Sequence, residues 1–299
     1  MRIPDILNPL YVYERRRRIT PYLQWKTSIF VSNCKKKSEE ITHRAHLWLN
    51  GHGIAVTANE RKVADLKNIH RGRRCFIIGN GPSLNIEDLP RLKNEVTFAC
   101  NKIYLAFDKT EWRPTYYSIL DVLVAENNSK VVNKLNLCKI FHEDVRPWFD
   151  GADDIIWLKG LAEPLIDGEY QGRFSANPLD GVCGGWSVIF PQIQIAYYMG
   201  IREIYLIGVD FSFDVPKPSG KKCIYGDVLE HQGENNHFHP EYRKPGETWS
   251  IPSLDLQYKA FVAAKQTVEA NGGRIFNASR KTALDVFPCV DFDSITASK

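Results

Sequence analysis

The run Cys75-Phe-Ile-Ile-Gly-Asn-Gly-Pro-Ser-Leu84 constrains the fold of this chain more than any other stretch. A short apolar strand passes straight into a turn bracketed by Gly79 and Gly81, and Ser83 stands where a helix can begin. Strand, tight glycine turn and helix start, in that order, build the phosphate sites of α/β proteins. The two glycines allow torsions and close backbone approach that a Cβ blocks, and Ser83 can cap the next helix beside its exposed N–H groups. An anionic ligand is the first expectation, and a purely structural tight turn is the alternative.

The turn is neither of the two common nucleotide loops. A P-loop requires Lys followed by Ser or Thr after its last Gly, where this chain has Pro82-Ser83. The dinucleotide fingerprint requires a third Gly, where Leu84 stands, and an acid at the end of the second strand. That strand, Val96-Thr-Phe-Ala-Cys-Asn101, ends in a neutral amide.

Further along, the pattern alternates. Strands are expected at 75–79, 96–100, 114–121, 139–142 and 154–158, with a helix at about 83–92. The block Gly184-Gly-Trp-Ser-Val-Ile-Phe-Pro-Gln-Ile-Gln-Ile-Ala-Tyr-Tyr-Met-Gly200 reads as a helix with Pro191 in its first turn or at a kink, then a strand ending at Asp210. A helix over 256–268 and a closing strand at 274–277 complete it. Strands alternating with helices predict an α/β fold: an open, mostly parallel, Rossmann-like sheet with helices on both faces.

Charge divides the chain. Residues 1–74 carry 16 Lys/Arg against 6 Asp/Glu, and the remainder carries 23 against 29. Residues 1–70 therefore read as a basic helical N-terminal extension, and 71–299 as the catalytic domain. Arg15–Arg18 and Lys35–Lys37, interleaved with Tyr11, Tyr13, Tyr22, Trp25 and Phe30, suit an anionic membrane surface reached through residues 1–60. A solvated arm is the alternative. Nucleic acid is not expected, because the main domain is acidic and carries no recognition module. No run of about 18 apolar residues occurs, so a cytoplasmic protein, peripheral at the inner face of the membrane, is expected. The seven Cys form no C-x-x-C pair, and neither disulfides nor structural zinc are expected.

Ligands of open α/β sheets bind beyond the carboxyl ends of the strands, which directs attention to Asn80, Asn101, Asp121, Asp210 and Asn277. Amides there can bind a base or sugar without adding negative charge near phosphate. Asp121 can orient a hydroxyl, act as a base, hold a metal or cap the next turn. Asp210 is expected to hold a loop together. The polar segment before the last helix carries His231, Asn235, Asn236, His237, Phe238 and His239, and has the length of a lid. His237 is the first candidate for moving a proton and His239 the second; metal binding by these His with Asp227 and Glu230 is a weaker alternative.

Taken as a set, Gly79-Asn-Gly-Pro-Ser-Leu84, Cys100-Asn101, Gly184-Gly185, the strand to Asp210 and Asn236-His237-Phe238 resemble bacterial CMP-sialic-acid-dependent sialyltransferases. With Asn277-Ala and Val286-Phe-Pro-x-Val-Asp-Phe292 added, Arg74 to Ile295 is similar to the MptE-like family, named for an archaeal 6-hydroxymethylpterin diphosphokinase and including motility-associated factors. The resemblance implies a nucleotide-phosphate site. Gly79, Asn80, Gly81, Pro82, Ser83 and Asn101 become donor contacts, Gly184, Gly185 and Trp186 line the sugar, Asn236 joins the donor set, and a His is the base. The Thr-Ser of the sialyltransferases is replaced here by Cys183-Gly184.

It implies a glycosyltransferase that moves a CMP-linked sialic-acid-like or other 3-deoxy-ulosonic acid onto a glycan, lipid-linked or protein acceptor. No cofactor is needed when only a monophosphate leaves. The alternative is a diphosphokinase moving pyrophosphate from ATP, with magnesium held by Asp121 and Asp210; a non-catalytic nucleotide-binding protein is the third reading. Self-association is left open.

Overall fold

The computed structural model describes residues 37, 41–42, 44–149, 154–163, 165–214, 218–223, 226–230, 235–244, 247–250 and 252–297, with only the backbone for 218–223, 226–230 and 248–250. The basic and aromatic residues singled out between 11 and 36, and His231, lie outside the described residues.

The chain divides into two compact units, 1–54 and 55–299. In the first, 44–51 is helical, and the helix is closed by Gly53, whose φ of +75° suits a C-terminal glycine. The second opens with a capping box: Thr57 accepts from the Glu60 N–H and Glu60 accepts from the Thr57 N–H, starting α1 (Ala58–Asp65).

The strands follow as β1 (Arg74–Ile78), β2 (Val96–Cys100), β3 (Tyr116–Ser118), β4 (Lys139–His142) and β5 (Ile155–Leu158), with α2 (Val122–Val132) between β3 and β4. A two-residue hairpin, β6 (Leu165–Ile166) and β7 (Glu169–Tyr170), leads to α3 (Ile189–Tyr198) and β8 (Glu203–Ile207). Then come β9 (Pro218–Cys223), β10 (Gly226–Glu230), β11 (Thr248–Ser250), α4 (Leu254–Ala270), β12 (Arg274–Asn277) and α5 (Phe292–Thr296).

Seven strands form one parallel sheet in the order β12-β8-β1-β2-β3-β4-β5. This is the expected open Rossmann-like architecture. The two-residue period of each strand feeds two cores. Cys75, Ile77, Phe98, Ile204 and Leu206 face the side covered by α3 and α4, while Phe76, Ile78, Ala99, Tyr205 and Ile207 face α2 and α5. Winding reverses at β1, which has β2 on one side and β8 on the other. Such a switch point opens a crevice at the carboxyl ends of the strands.

Several local expectations are corrected. The helix expected over 83–92 is a 3₁₀ segment, Ile86–Leu92, capped by Asn85 and not by Ser83. The third strand stops at Ser118, and the strand expected to reach Asp210 stops at Ile207, because Gly208 turns the chain at φ +64°. Pro191 is the third residue of α3, in its first turn, where its missing N–H costs no intrahelical bond. The polar segment after β8 is more than loop: β9, β10 and β11 form a small antiparallel sheet. No helix among the described residues is long and apolar enough to cross a membrane.

Candidate functional site

The turn after β1 lies directly against the turn after β8. A Cβ on Gly79 would stand 2.4 Å from the Gly208 oxygen, and one on Gly81 would stand 2.8 Å from that oxygen and 2.7 Å from Asp210 Cγ. Close approach therefore explains both glycines, and left-handed torsion does not, since neither has a positive φ. Four backbone donors of the turn, those of Gly79, Gly81, Ser83 and Leu84, are engaged internally. Gly79 N–H donates to Ile207 O (2.8 Å), Gly81 N–H to Gly208 O (2.8 Å) and Leu84 N–H to Gly81 O (3.0 Å). Ser83 donates its N–H (2.7 Å) and its hydroxyl to the Asp210 carboxylate. The cradle of free N–H groups expected around Ser83 is thus filled by the protein's own carboxylate.

Acceptors are what the crevice offers instead. Asn80 directs its amide NH₂ at Cys100 O (3.1 Å), a contact only a donor can make, which leaves its Oδ1 as an acceptor. Asn80 Oδ1 and Asn101 Oδ1 are buried and have no hydrogen-bond partner among the described residues. A buried amide oxygen without a partner carries a desolvation cost of about 1–3 kcal/mol. A ligand donor would remove that cost. Asn101 also adopts a left-handed φ of +49°, an uncommon conformation held by the Tyr117 hydroxyl donating to its carbonyl.

The Asn-His-Phe segment closes over this point. Phe238 N–H donates to Asn80 O at 2.9 Å. Asn236 exchanges two bonds with the backbone of Asp214 (2.7 and 2.9 Å), so its amide holds the segment in place. The His237 ring stacks on Tyr242 at 3.7 Å, nearly parallel. Beneath it, the buried Lys102 ammonium donates to Tyr242 O (2.6 Å) and pairs with Glu247. Burial draws the Lys102 pKa down while Glu247 pulls it back up. The segment is thereby clamped to the end of β2.

Two adjoining cavities result. One of about 140 Å³ is bordered by Gly79, Asn80, Gly81, Asn101 and Asn236. The other, of about 210 Å³, is bordered by Lys102, Asp121, Trp186, Arg243 and Ser253. Asn101, Ser187, Val188, Phe213, His237, Tyr242 and Gln257 line both. Of the residues expected from the sequence, Pro82, Ser83, Gly184, Gly185 and His239 border neither. Gly185 (φ +56°) is set by packing, because a Cβ would strike the Phe190 ring. His239 Nδ1 accepts from Glu241 N–H in a turn. Asp121 caps α2 through Leu123 N–H, and Asn277 turns its amide to Thr282. Lys102, Tyr242, Glu247 and Gln257 were not anticipated. Lys102 follows Asn101 directly, and that adjacency was the available signal.

Asp210 makes a test of the turn. Burial raises its carboxyl pKa, against the opposing pull of the Ser83 bonds. A folded value above the unfolded one favours the fold at low pH, and that contribution is withdrawn as pH rises past the ordinary carboxylate range. Asp210→Asn keeps an acceptor for Ser83 and removes the buried charge. Its Tm relative to wild type should therefore rise between about pH 4 and about pH 7. Asp210→Ala leaves the Ser83 N–H stranded, at about 1–3 kcal/mol, and should lower Tm by roughly 3–10 °C. Equal Tm for both variants across that range would show that Asp210 does not hold the turn.

The model of the family described as 6-hydroxymethylpterin diphosphokinase MptE-like matches residues 53–215, just over half the chain. No curated protein matches. Among solved structures, the MAf glycosyltransferase from Magnetospirillum magneticum AMB-1 is similar at 16% identity and TM-score 0.44, over 81% of this chain and 40% of that one. The chain thus spans about two fifths of that protein's length. The sialyltransferase CstII from Campylobacter jejuni, in complex with cytidine-5'-monophosphate, is similar at 13% identity and TM-score 0.41, over 74% and 86% of the respective chains.

Proposed function

This chain belongs to the MptE-like family, and from the chemistry of its crevice we propose that it is a glycosyltransferase whose donor is a nucleotide-activated sugar, a CMP-linked acid of the sialic kind. The observation that carries this reading is the pair of buried, unpartnered acceptors, Asn80 Oδ1 and Asn101 Oδ1. They lie at the strand ends where α/β folds bind nucleotides. Neutral amides there can take hydrogen bonds from a base amino group or ribose hydroxyl without repelling the phosphate.

In the proposed reaction an acceptor hydroxyl oxygen bonds to the anomeric carbon of the donor. The bond from that carbon to the phosphate oxygen breaks, and CMP leaves with the electron pair. His237 takes the hydroxyl proton. The imidazole is the only His ring bordering both cavities among the described residues, which supports this role.

The family's name points to a diphosphokinase, chemistry in which magnesium is held by carboxylates. Asp210 has both oxygens on Ser83, and Asp121 is engaged at the start of α2. These carboxylates fit a magnesium–triphosphate site poorly, which favours the sugar transferase. A thermal-shift panel of CMP, CDP, UDP, GDP and ATP, each with and without magnesium, tests the choice. Stabilisation by CMP without metal is expected. A response to ATP with magnesium alone would replace this reading with the kinase.

A further inference from the structure

The larger cavity has a different character from the one beside the glycine turn. Trp186 stands at its edge, 43% exposed and held at φ +59°, a left-handed conformation that bulky residues rarely adopt. The chain continues into α3 through Ser187, and Trp186 borders the larger cavity and not the smaller one. Ser253 occupies the N-cap position of α4 yet makes no capping bond, and it borders the same space as Asn127 and Arg243. Leu120 and Val124, with Val188 shared between the two cavities, add apolar lining.

An aromatic face beside apolar side chains, ringed by the amide of Asn127, the hydroxyl of Ser253, the guanidinium of Arg243, the Lys102 ammonium and the carboxylates of Asp121 and Glu247, matches one ligand chemistry in particular. A pyranose ring has C–H faces that pack on an indole and hydroxyls that radiate toward polar groups at the rim. We infer that this cavity is the acceptor site, that it takes a terminal hexopyranose of a glycan, and that Trp186 is its stacking platform. The inference rests on the glycosyltransferase reading, and it places donor and acceptor in adjoining cavities that meet at Asn101, His237 and Tyr242. His237 lies between them, bordering both, which is where a base serving the acceptor hydroxyl must stand. Trp186, grouped with the donor residues by sequence resemblance, belongs on this account to acceptor recognition.

The test uses the full chain and saturation-transfer NMR with free galactose, lactose and chitobiose, run in parallel with the CMP thermal shift. Trp186→Gly is the main variant, because glycine accepts a φ of +59° without strain. Trp186→Phe keeps a ring. Trp186→Gly is expected to weaken saccharide binding by about three- to tenfold, the scale of one aromatic stacking contact. Trp186→Phe should restore most of it, with the CMP shift unchanged in both.

Saccharide binding that is indifferent to Trp186, or absent for all three sugars, would overturn the inference while leaving the CMP result to judge the donor reading. If no nucleotide stabilises the chain but saccharides bind through Trp186, the donor reading fails and the saccharide site stands. If Trp186→Gly abolishes the CMP shift, Trp186 serves the donor and the inference is wrong.

Discussion

Replacing His237 by Ala is expected to lower turnover of a CMP-sugar by about 10²–10⁴-fold, the usual loss when a general base is removed. Binding of CMP should change little, because the acceptors proposed for the nucleotide are Asn80 and Asn101. The argument is positional. His237 borders both cavities and is held flat against Tyr242 at 3.7 Å. Tyr242 is itself anchored by Lys102 donating to its carbonyl. The ring is therefore fixed in orientation, as a group moving a proton at a defined atom must be. His239 is two residues away but is turned into a backbone contact with Glu241. The same change there should cost far less. The measurement is kcat for both variants with the CMP shift as control. Unchanged kcat in His237→Ala would end its assignment as the base, and an equal loss in both would point to the segment's fold.

How much of this was legible in the sequence depends on the distance over which each feature is determined. The parallel sheet was legible because strands and helices announce themselves locally. Cys75–Ile78 and Ile204–Ile207 are continuous apolar runs and Val96–Cys100 is broken only by Thr97, as befits strands covered on both faces. The meeting of Asn80 and Asn101 was also legible, since β1 and β2 are parallel neighbours whose ends lie side by side, whereas His237, on the segment between β10 and β11, was linked to them only by resemblance. What was hidden is pairing between distant residues. Ser83 looked like a helix cap because its partner Asp210 lies 127 positions away, and no local pattern reveals that its N–H and hydroxyl are already engaged. Lys102 reaches Tyr242 across 140 positions. The small sheet of β9, β10 and β11 escaped notice because Pro-Ser-Gly-Lys-Lys-Cys has no apolar alternation. Trp186 gave no sign of its left-handed backbone, since sequence favours Gly or Asn at such torsions.

Gly79→Ala is the second change with a large expected effect, and it separates steric need from torsional need. The added methyl would meet backbone: Gly208 O at 2.4 Å and Gly208 C at 3.0 Å, with Val209 Cγ2 also at 3.0 Å. No side chain can swing aside to make room. The turn after β1 must lift off the turn after β8, straining the Gly79 N–H bond to Ile207 O that closes the ladder between those strands. Overpacking of this kind costs about 1–3 kcal/mol, which in a chain of this size lowers Tm by roughly 3–10 °C. The displacement also carries Asn80 away from Cys100, so the nucleotide-induced shift should shrink along with the stability. Gly184→Ala is the stability control. Its φ is not left-handed, and the nearest atom to an added Cβ is Glu163 Oε1 at 3.8 Å, so its Tm should stay within about 1 °C of wild type. If Gly79→Ala proves as stable as Gly184→Ala, the contact between the two turns is looser than the distances imply. The crevice would then owe its shape to the clamp at Lys102 and Glu247 instead.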